Sequence, residues 1–301
     1  MLRQADIQLY RDQGYLVIPN ILNSNEVAAL RAEVARLTAG ARLLDESNDV
    51  LDLEDTHRRD NPRVRRIKAP HKHSPFFLEL IRKPRMIEVL TSLLGPNVRL
   101  QNTKLNLKSA GYGAAVEWHQ DWAFYPYTND DVLAVGVMLD DFVEDNGPLM
   151  IVPGSHRGPI LDHHSAGRFC GGFDPALVGC DVSSAIKVLA PAGSISVHHA
   201  RAIHGSDLNR SGRPRGLLLY EICAADAWPL AGTFAPFSDL DEFNSRMICG
   251  EPTLQPRLEK VPVRIPLPKP LDPTSIYNAQ KGLGRRFFDV AAQPQTESER
   301  A

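Results

Sequence analysis

Val132-Leu-Ala-Val-Gly-Val-Met-Leu139, then Asn146-Gly147-Pro148, then Leu149-Met-Ile-Val152, then Pro153-Gly154-Ser155: two apolar runs, each followed by a turn cluster. Runs this short, rich in valine and bounded by Gly, Pro and Asn, read as strands rather than helices. The rhythm recurs on both sides, at residues 99–107, 186–189, 194–197 and 216–222, with Pro191-Ala192-Gly193 and Ser211-Gly212-Arg213-Pro214 between the later ones. Many short strands punctuated by Gly/Pro turns predict two antiparallel sheets packed as a sandwich or jelly roll.

Outside that core the pattern changes. Tyr15-Leu16-Val17-Ile18-Pro19 reads as one short strand, and Ser24 as the N-cap of a helix with Val27, Leu30, Val34 and Leu37 on one face. A second helical region spans about 75–94, is interrupted by Pro84 and stops at Gly95-Pro96. Residues 251–273 are proline-rich and read as extended chain wrapped over the surface. Residues after about Val290 read as a disordered tail. The expectation is one domain over 1–301, mainly β with flanking helices. It has a helical N-terminal region (about 1–97), a double-stranded β-helix core of the jelly-roll, cupin-like kind (about 98–225) and an extended C-terminal region (226–301).

The composition is that of an ordinary globular protein, 43% hydrophobic and 23% charged with a net charge of −2. Nothing global points to nucleic acid or to a membrane surface. No apolar h-region opens the chain and no run has the length of a membrane span. Cys170, Cys180, Cys223 and Cys249 form no CxxC pair and read as reduced thiols, so the expected compartment is the cytoplasm.

The chemistry lies in Trp118-His119-Gln120-Asp121 and the distant His204-Gly205-Ser206. Residues i and i+2 of a strand face the same way, so His119 and Asp121 point inward together. With His204 they can form a facial set of two imidazoles and one carboxylate, the ligand set of non-haem Fe(II) oxygenases, leaving the opposite face of the ion open. Eleven residues past His204 stands Arg215, placed to fork onto a carboxylate beside the metal.

Residues 118–121, Asn146-Gly147-Pro148-Leu149, Pro153-Gly154-Ser155-His156 and 204–215, with the opening Asp12-Gln-Gly-Tyr-Leu-Val-Ile-Pro19, together resemble the phytanoyl-CoA dioxygenase family over roughly residues 9–225. The resemblance implies an Fe(II)- and 2-oxoglutarate-dependent dioxygenase. Such an enzyme consumes O2, hydroxylates an unactivated C–H of a small molecule and releases succinate and CO2, with ascorbate as an aid in vitro. It implies iron on His119, Asp121 and His204, and the distal carboxylate of 2-oxoglutarate on Arg215 with support from Ser206. Asn106 matches an amide near the cosubstrate, and Lys104 lies on the same strand face. Asp121 stands where related halogenases have a small residue, which argues against halogenation. Desaturation, cyclisation or epimerisation by the same oxidising chemistry stays open, as do a zinc hydrolase and a non-catalytic metal-binding jelly roll, although the latter has no need of Arg215.

Gln120, Trp122, Tyr125, His199 and Arg201 are the candidate substrate-pocket residues, the aromatics as an apolar wall and His199 as the inward member of His198-His199. His156 reads as a turn residue. The segment containing His163, His164 and Arg168 is a loop or a lid. Residues 57–73, with Arg58, Arg59, Arg63, Arg65, Arg66, Lys68 and Lys72, read as a solvated loop or a docking strip for an anionic substrate. Substrate identity and homo-oligomerisation are not legible.

Overall fold

A computed structural model describes residues 2–111, 113–231 and 239–290; the expected tail after about Val290 lies outside them. The strands are β1 (Tyr15–Ile18), β2 (Leu51–Leu53), β3 (Val64–Lys68), β4 (Val98–Lys108), β5 (Val116–His119), β6 (Val132–Met138), β7 (Leu149–Ile151), β8 (His164–Ser165), β9 (Arg168–Phe169), β10 (Ile186–Lys187), β11 (Ile195–His199), β12 (His204–Ser206), β13 (Arg215–Ala224) and β14 (Met247–Cys249). The helices are α1 (Gln4–Gln13), α2 (Ser24–Thr38), α3 (Phe76–Ile81), α4 (Pro84–Leu94), α5 (Pro175–Val178), α6 (Leu240–Ser245), α7 (Ile276–Gln280) and α8 (Phe287–Val290).

The major sheet has the order β1-β11-β6-β13-β4-β3-β2, with β14 also on β4, and the minor sheet has the order β10-β7-β12-β5. Every pairing is antiparallel. This is the jelly roll expected, with helices on one outer face. Alternation along β13 shows how the layers separate. Leu218, Tyr220 and Ile222 face the helices and join Leu30, Phe77 and Leu90 in the largest apolar core. Burying each such side chain contributes roughly 1.5–3 kcal/mol. Arg215, Leu217, Leu219 and Glu221 face the barrel interior and line its cavities.

Three expectations change. The helix cap is Asn23, not Ser24: Asn23 Oδ1 accepts from Glu26 N at 3.0 Å and Glu26 Oε2 accepts from Asn23 N at 2.8 Å, a reciprocal capping box. The N-terminal region is not only helical, because β1, β2 and β3 extend the major sheet. The basic segment is not a solvated loop. It contains β3, and its charges are largely paired within the fold: Arg65 with the buried Asp52 at 3.0 Å and Arg63 with Glu54 at 2.7 Å.

Candidate metal centre and cosubstrate chamber

β5 delivers His119 at its last residue, Gln120 continues extended, and the chain then turns into a short 3-10 helix that begins with Asp121. β12 pairs with β5 so that His204 stands opposite His119, with ring centroids 4.1 Å apart. The potential ligand atoms of His119, Asp121 and His204 all lie within 4.8 Å of one another, and all three residues are buried. His119 Nδ1 donates to Glu117 O at 2.8 Å, and His204 Nδ1 donates to Ala202 O at 3.0 Å. Each bond uses the proton of a neutral imidazole and leaves the Nε2 lone pair free for a metal. Burial drives the His119 pKa down to about 4 and that of His204 well below its usual value, so both rings stay neutral. Burial alone would raise Asp121, but Lys104 Nζ at 3.7 Å and the neighbouring His204, His198 and His119 together outweigh it and hold the carboxyl ionised. Two neutral imidazoles and one carboxylate fit a divalent iron ion.

Behind the triad a narrow chamber runs between the sheets. Its apolar walls include Leu149, Leu217 and Leu219, and Arg215, Lys108, Ser206 and Tyr277 bring polar groups into it. Arg215 is fully enclosed: Nη2 donates to Gly147 O, the guanidinium lies 4.4 Å from the centre of the Phe142 ring, and Nε has no partner. Burial brings its pKa down to about 10, still charged at neutral pH. Gly147 has φ +65°, and a side chain there would collide with the Asp207 carbonyl, so the acceptor for Arg215 sits on a turn that only glycine fits. Lys108, 1% exposed, donates to Ser206 O at 3.3 Å and to Asp207 O. Unpaired buried donors beside a cation suit an incoming carboxylate, which is what 2-oxoglutarate would bring.

The family model described as Phytanoyl-CoA dioxygenase (PhyH) matches residues 10–217. The chain belongs to the phytanoyl-CoA dioxygenase family. Over 286 residues it is 35% identical to the probable alpha-ketoglutarate-dependent hypophosphite dioxygenase of Stutzerimonas stutzeri, covering 93% of this chain and 97% of that one. It is 29% identical to the ectoine dioxygenase of Bordetella bronchiseptica over 71% of this chain and 73% of that one. The crystal structure of EctD from S. alaskensis with 2-oxoglutarate and 5-hydroxyectoine matches with a TM-score of 0.60 at 25% identity, over 74% of this chain and 77% of that one. This phytanoyl-CoA dioxygenase family member is an Fe(II)- and 2-oxoglutarate-dependent dioxygenase, an oxidoreductase of the hydroxylase kind. Its relatives act on small molecules. Among its described residues no helix is long and apolar enough to cross a membrane.

In the dioxygenase, a second and larger cavity of about 490 Å³ opens on the other side of Asp121. Tyr125, Phe124 and Phe169 form its aromatic wall, Arg66, Lys104 and Glu221 its polar side, and residues from 266 to 279 its outer wall. The surface-wrapping expectation for the C-terminal segment is therefore incomplete, since part of that segment closes the cavity.

The expected site residues divide sharply. Asn106, Lys104, Ser206 and Arg215 share the narrow chamber with His119, Asp121 and His204, and Tyr125 lines the larger cavity. Four other pocket expectations are corrected. His199 faces away: its Nε2 is 3.8 Å from Asp130 and its ring packs against His156. His198 is the inward member, with Nε2 donating to Asp121 Oδ2 at 3.4 Å. Arg201 is bound to Asp130 at 2.7 Å and to Gly158 O at 2.9 Å. Gln120 ties three backbones together through Pro159 O, Arg201 O and Leu161 N. Trp122 is packed in the core, its indole donating to Pro262 O at 2.8 Å.

His156 has the structural role expected, its ring filling the space above Gly14 and Nε2 bonding to Arg11 O at 3.1 Å. In the loop-or-lid segment Phe169 joins the cavity wall, while His163 accepts from Gln120 N at 2.9 Å through Nε2 and donates to Leu161 O at 2.9 Å through Nδ1. Sequence reasoning missed Lys108 and Tyr277. The period-2 face of Lys104 and Asn106 also contains Lys108 and could have found it; nothing local marks Tyr277.

Proposed function

We propose that this dioxygenase hydroxylates a small anionic molecule bound in the 490 Å³ cavity. His119, Asp121 and His204 hold Fe(II), and Arg215 and Ser206 hold the distal carboxylate of 2-oxoglutarate. Iron held there supplies oxygen activation coupled to conversion of 2-oxoglutarate and O2 into succinate and CO2, the second oxygen atom entering the substrate. The chain does the rest. His198 steadies the Asp121 carboxylate. Phe124, Tyr125 and Phe169 keep water from the reacting carbon. Lys104 pairs with Glu221 at 3.0 Å, so that Glu221 does not repel an anion.

The observation that carries the charge of the substrate is Arg66. It lines the cavity from β3, and its Nε is buried without a hydrogen-bond partner. Lys269 adds a second cation from the C-terminal wall. The carboxylates in the same lining are Asp121, which is assigned to the metal, and Glu221, which is paired. The Stutzerimonas relative is named for hypophosphite, itself an oxyanion, and a cavity of this size also admits larger anions. Four unpaired cysteines agree with a reducing cytoplasm.

The test is succinate formation from 2-oxoglutarate by protein with Fe(II), ascorbate and air, across a panel of small anions including hypophosphite and a panel of uncharged molecules. Stimulation by one or more anions is expected. It should vanish in Asp121→Ala and show a KM raised at least tenfold, with kcat largely kept, in Arg66→Leu. Stimulation by uncharged compounds alone would overturn the anionic assignment.

A further inference from the structure

The cosubstrate chamber and the substrate cavity share Lys104 and Asp121 from the barrel and one residue from outside it. α7 places Ile276 in the walls of both, while Tyr277 lines the chamber and the chain just before it, from Pro266 to Ser275, closes the cavity. Tyr277 is 6% exposed, and its hydroxyl is buried with no hydrogen-bond partner. Its ring is held from behind by Arg65, whose guanidinium lies 4.7 Å from the ring centre and whose Nη2 bonds to Asn278 Oδ1 at 3.2 Å. Arg65 is in turn anchored on Asp52. An unsatisfied buried hydroxyl costs about 1–3 kcal/mol, so a tyrosine at this spot is hard to explain by packing, which phenylalanine would serve as well. The same chamber holds a second orphan donor, Arg215 Nε. Two unpaired donors, one neutral and one cationic, thus belong to side chains that line the same narrow chamber. Burial raises the Tyr277 pKa above its usual value, so the hydroxyl keeps the proton it would donate.

We infer that Tyr277 donates to the distal carboxylate of 2-oxoglutarate beside Arg215, and that the bound cosubstrate thereby fastens the C-terminal strap that walls the substrate cavity. The inference rests on reading Arg215 as the anchor of that carboxylate. The other end of α7 is already fixed: Gln280 Oε1 accepts from Glu117 N at 3.0 Å and its amide donates to Gly171 O at 2.9 Å. Glu117 belongs to β5, two residues before His119. The strap is thus attached beside the metal ligand strand, and also through Phe169 N to Pro268 O and Arg65 to Asn278, and the cosubstrate adds the attachment at Tyr277. The consequence is an order of events. Cosubstrate binding finishes the substrate cavity, and substrate then enters a site whose wall is set.

The experiment uses the conservative variant Tyr277→Phe, which keeps the ring and its contact with Arg65. Mn(II)-loaded wild type and variant are titrated calorimetrically with 2-oxoglutarate and with 2-oxobutyrate, which lacks the distal carboxylate. Amide hydrogen exchange of residues 261–280 is followed with and without saturating 2-oxoglutarate. The variant should bind 2-oxoglutarate roughly tenfold more weakly and 2-oxobutyrate as the wild type does. In wild type 2-oxoglutarate should slow exchange across the strap, and in the variant it should not. Equal losses for both ligands would make the hydroxyl merely structural, and no loss for either would remove it from the site. Strap exchange unchanged by 2-oxoglutarate in wild type would overturn the coupling. Failure of wild type to bind 2-oxoglutarate at all would instead sink the functional reading beneath.

Discussion

His163 makes the fold acid-sensitive in a way that can be isolated. The ring is 2% exposed, donates from Nδ1 to Leu161 O and accepts at Nε2 from Gln120 N, both at 2.9 Å. Both nitrogens are committed in the neutral form, and a second ring proton would face the Gln120 N–H. Burial pushes the pKa down to about 3. In the unfolded chain a histidine titrates near 6.5. Below that pH the unfolded state takes up a proton that the folded state refuses, so stability present at pH 7.5 is lost as pH falls from about 6.5 toward 3. At pH 5 the loss from this one ring is about 2 kcal/mol. His71, His119, His199 and His204 are shifted in the same direction, so the His163 share must be read as a difference. Urea unfolding of metal-free wild type and His163→Gln at pH 7.5 and pH 5 provides it. The variant should be less stable at pH 7.5, having lost a buried ring, but its fall on going to pH 5 should be smaller by about 2 kcal/mol. An equal fall in both proteins would refute the buried neutral ring. Because Gln120 separates His119 from Asp121, the variant should also bind Mn(II) more weakly at pH 7.5.

Arg215→Gln removes the charge and the fork while keeping much of the side-chain length. Its KM for 2-oxoglutarate should rise by one to two orders of magnitude with little change in substrate KM, and an unchanged cosubstrate KM would move the carboxylate elsewhere. Gly147→Ala forces a side chain into a left-handed position against the Asp207 carbonyl. It should cost roughly 2–3 kcal/mol, seen as a lowered Tm, and because Gly147 O accepts from Arg215 it should also weaken 2-oxoglutarate binding. A variant as stable as wild type would show that the turn is less constrained than its geometry implies.

The clustering of His119, Asp121 and His204 was legible because the chemistry demands few residue types at fixed positions: the extended Gln120 after β5 keeps His119 and Asp121 together, and His204 precedes an arginine at a telling interval. β1, β4, β6, β7, β10, β11 and β13 were legible from alternation and turns. What failed was what register decides. His198 and His199 are both plausible in sequence, and the pairing of His198 with Ala134 and with Tyr15 turns it inward; a slip of one residue would exchange the two. β3 was hidden because its interior-facing residue, Arg66, is charged, and period-2 reading looks for apolar residues on the buried face. α1 was hidden by its polarity, Tyr10 being its one buried residue. The strap had no local signal, since a proline-rich segment has no periodicity and its position depends on the contacts that Arg65 and Glu117 make with α7.

The division between what was and was not legible follows the division of labour in the molecule. Of the candidate ligands and cosubstrate anchor, His204 and Arg215 stand on β12 and β13, strands held on both sides by ladders of antiparallel bonds, whereas His119 ends the edge strand β5, which pairs with β12 alone, and Asp121 opens the turn after it. His204 and Arg215 cannot drift without loss of the sheet. The walls of the substrate cavity come partly from β4 and β13, through Asn102, Lys104 and Glu221, and partly from a turn after β5, from β3 near the sheet edge and from the strap. The family model ends at residue 217, well before the strap begins. Relatives can therefore keep one oxidising centre and change the molecule presented to it by altering the turn after β5 and the strap, which lie outside the two large sheets. On this argument, exchanging residues 261–280 for those of a relative should alter substrate preference while leaving iron binding near that of the parent, whereas changes in β5 or β12 should do the reverse.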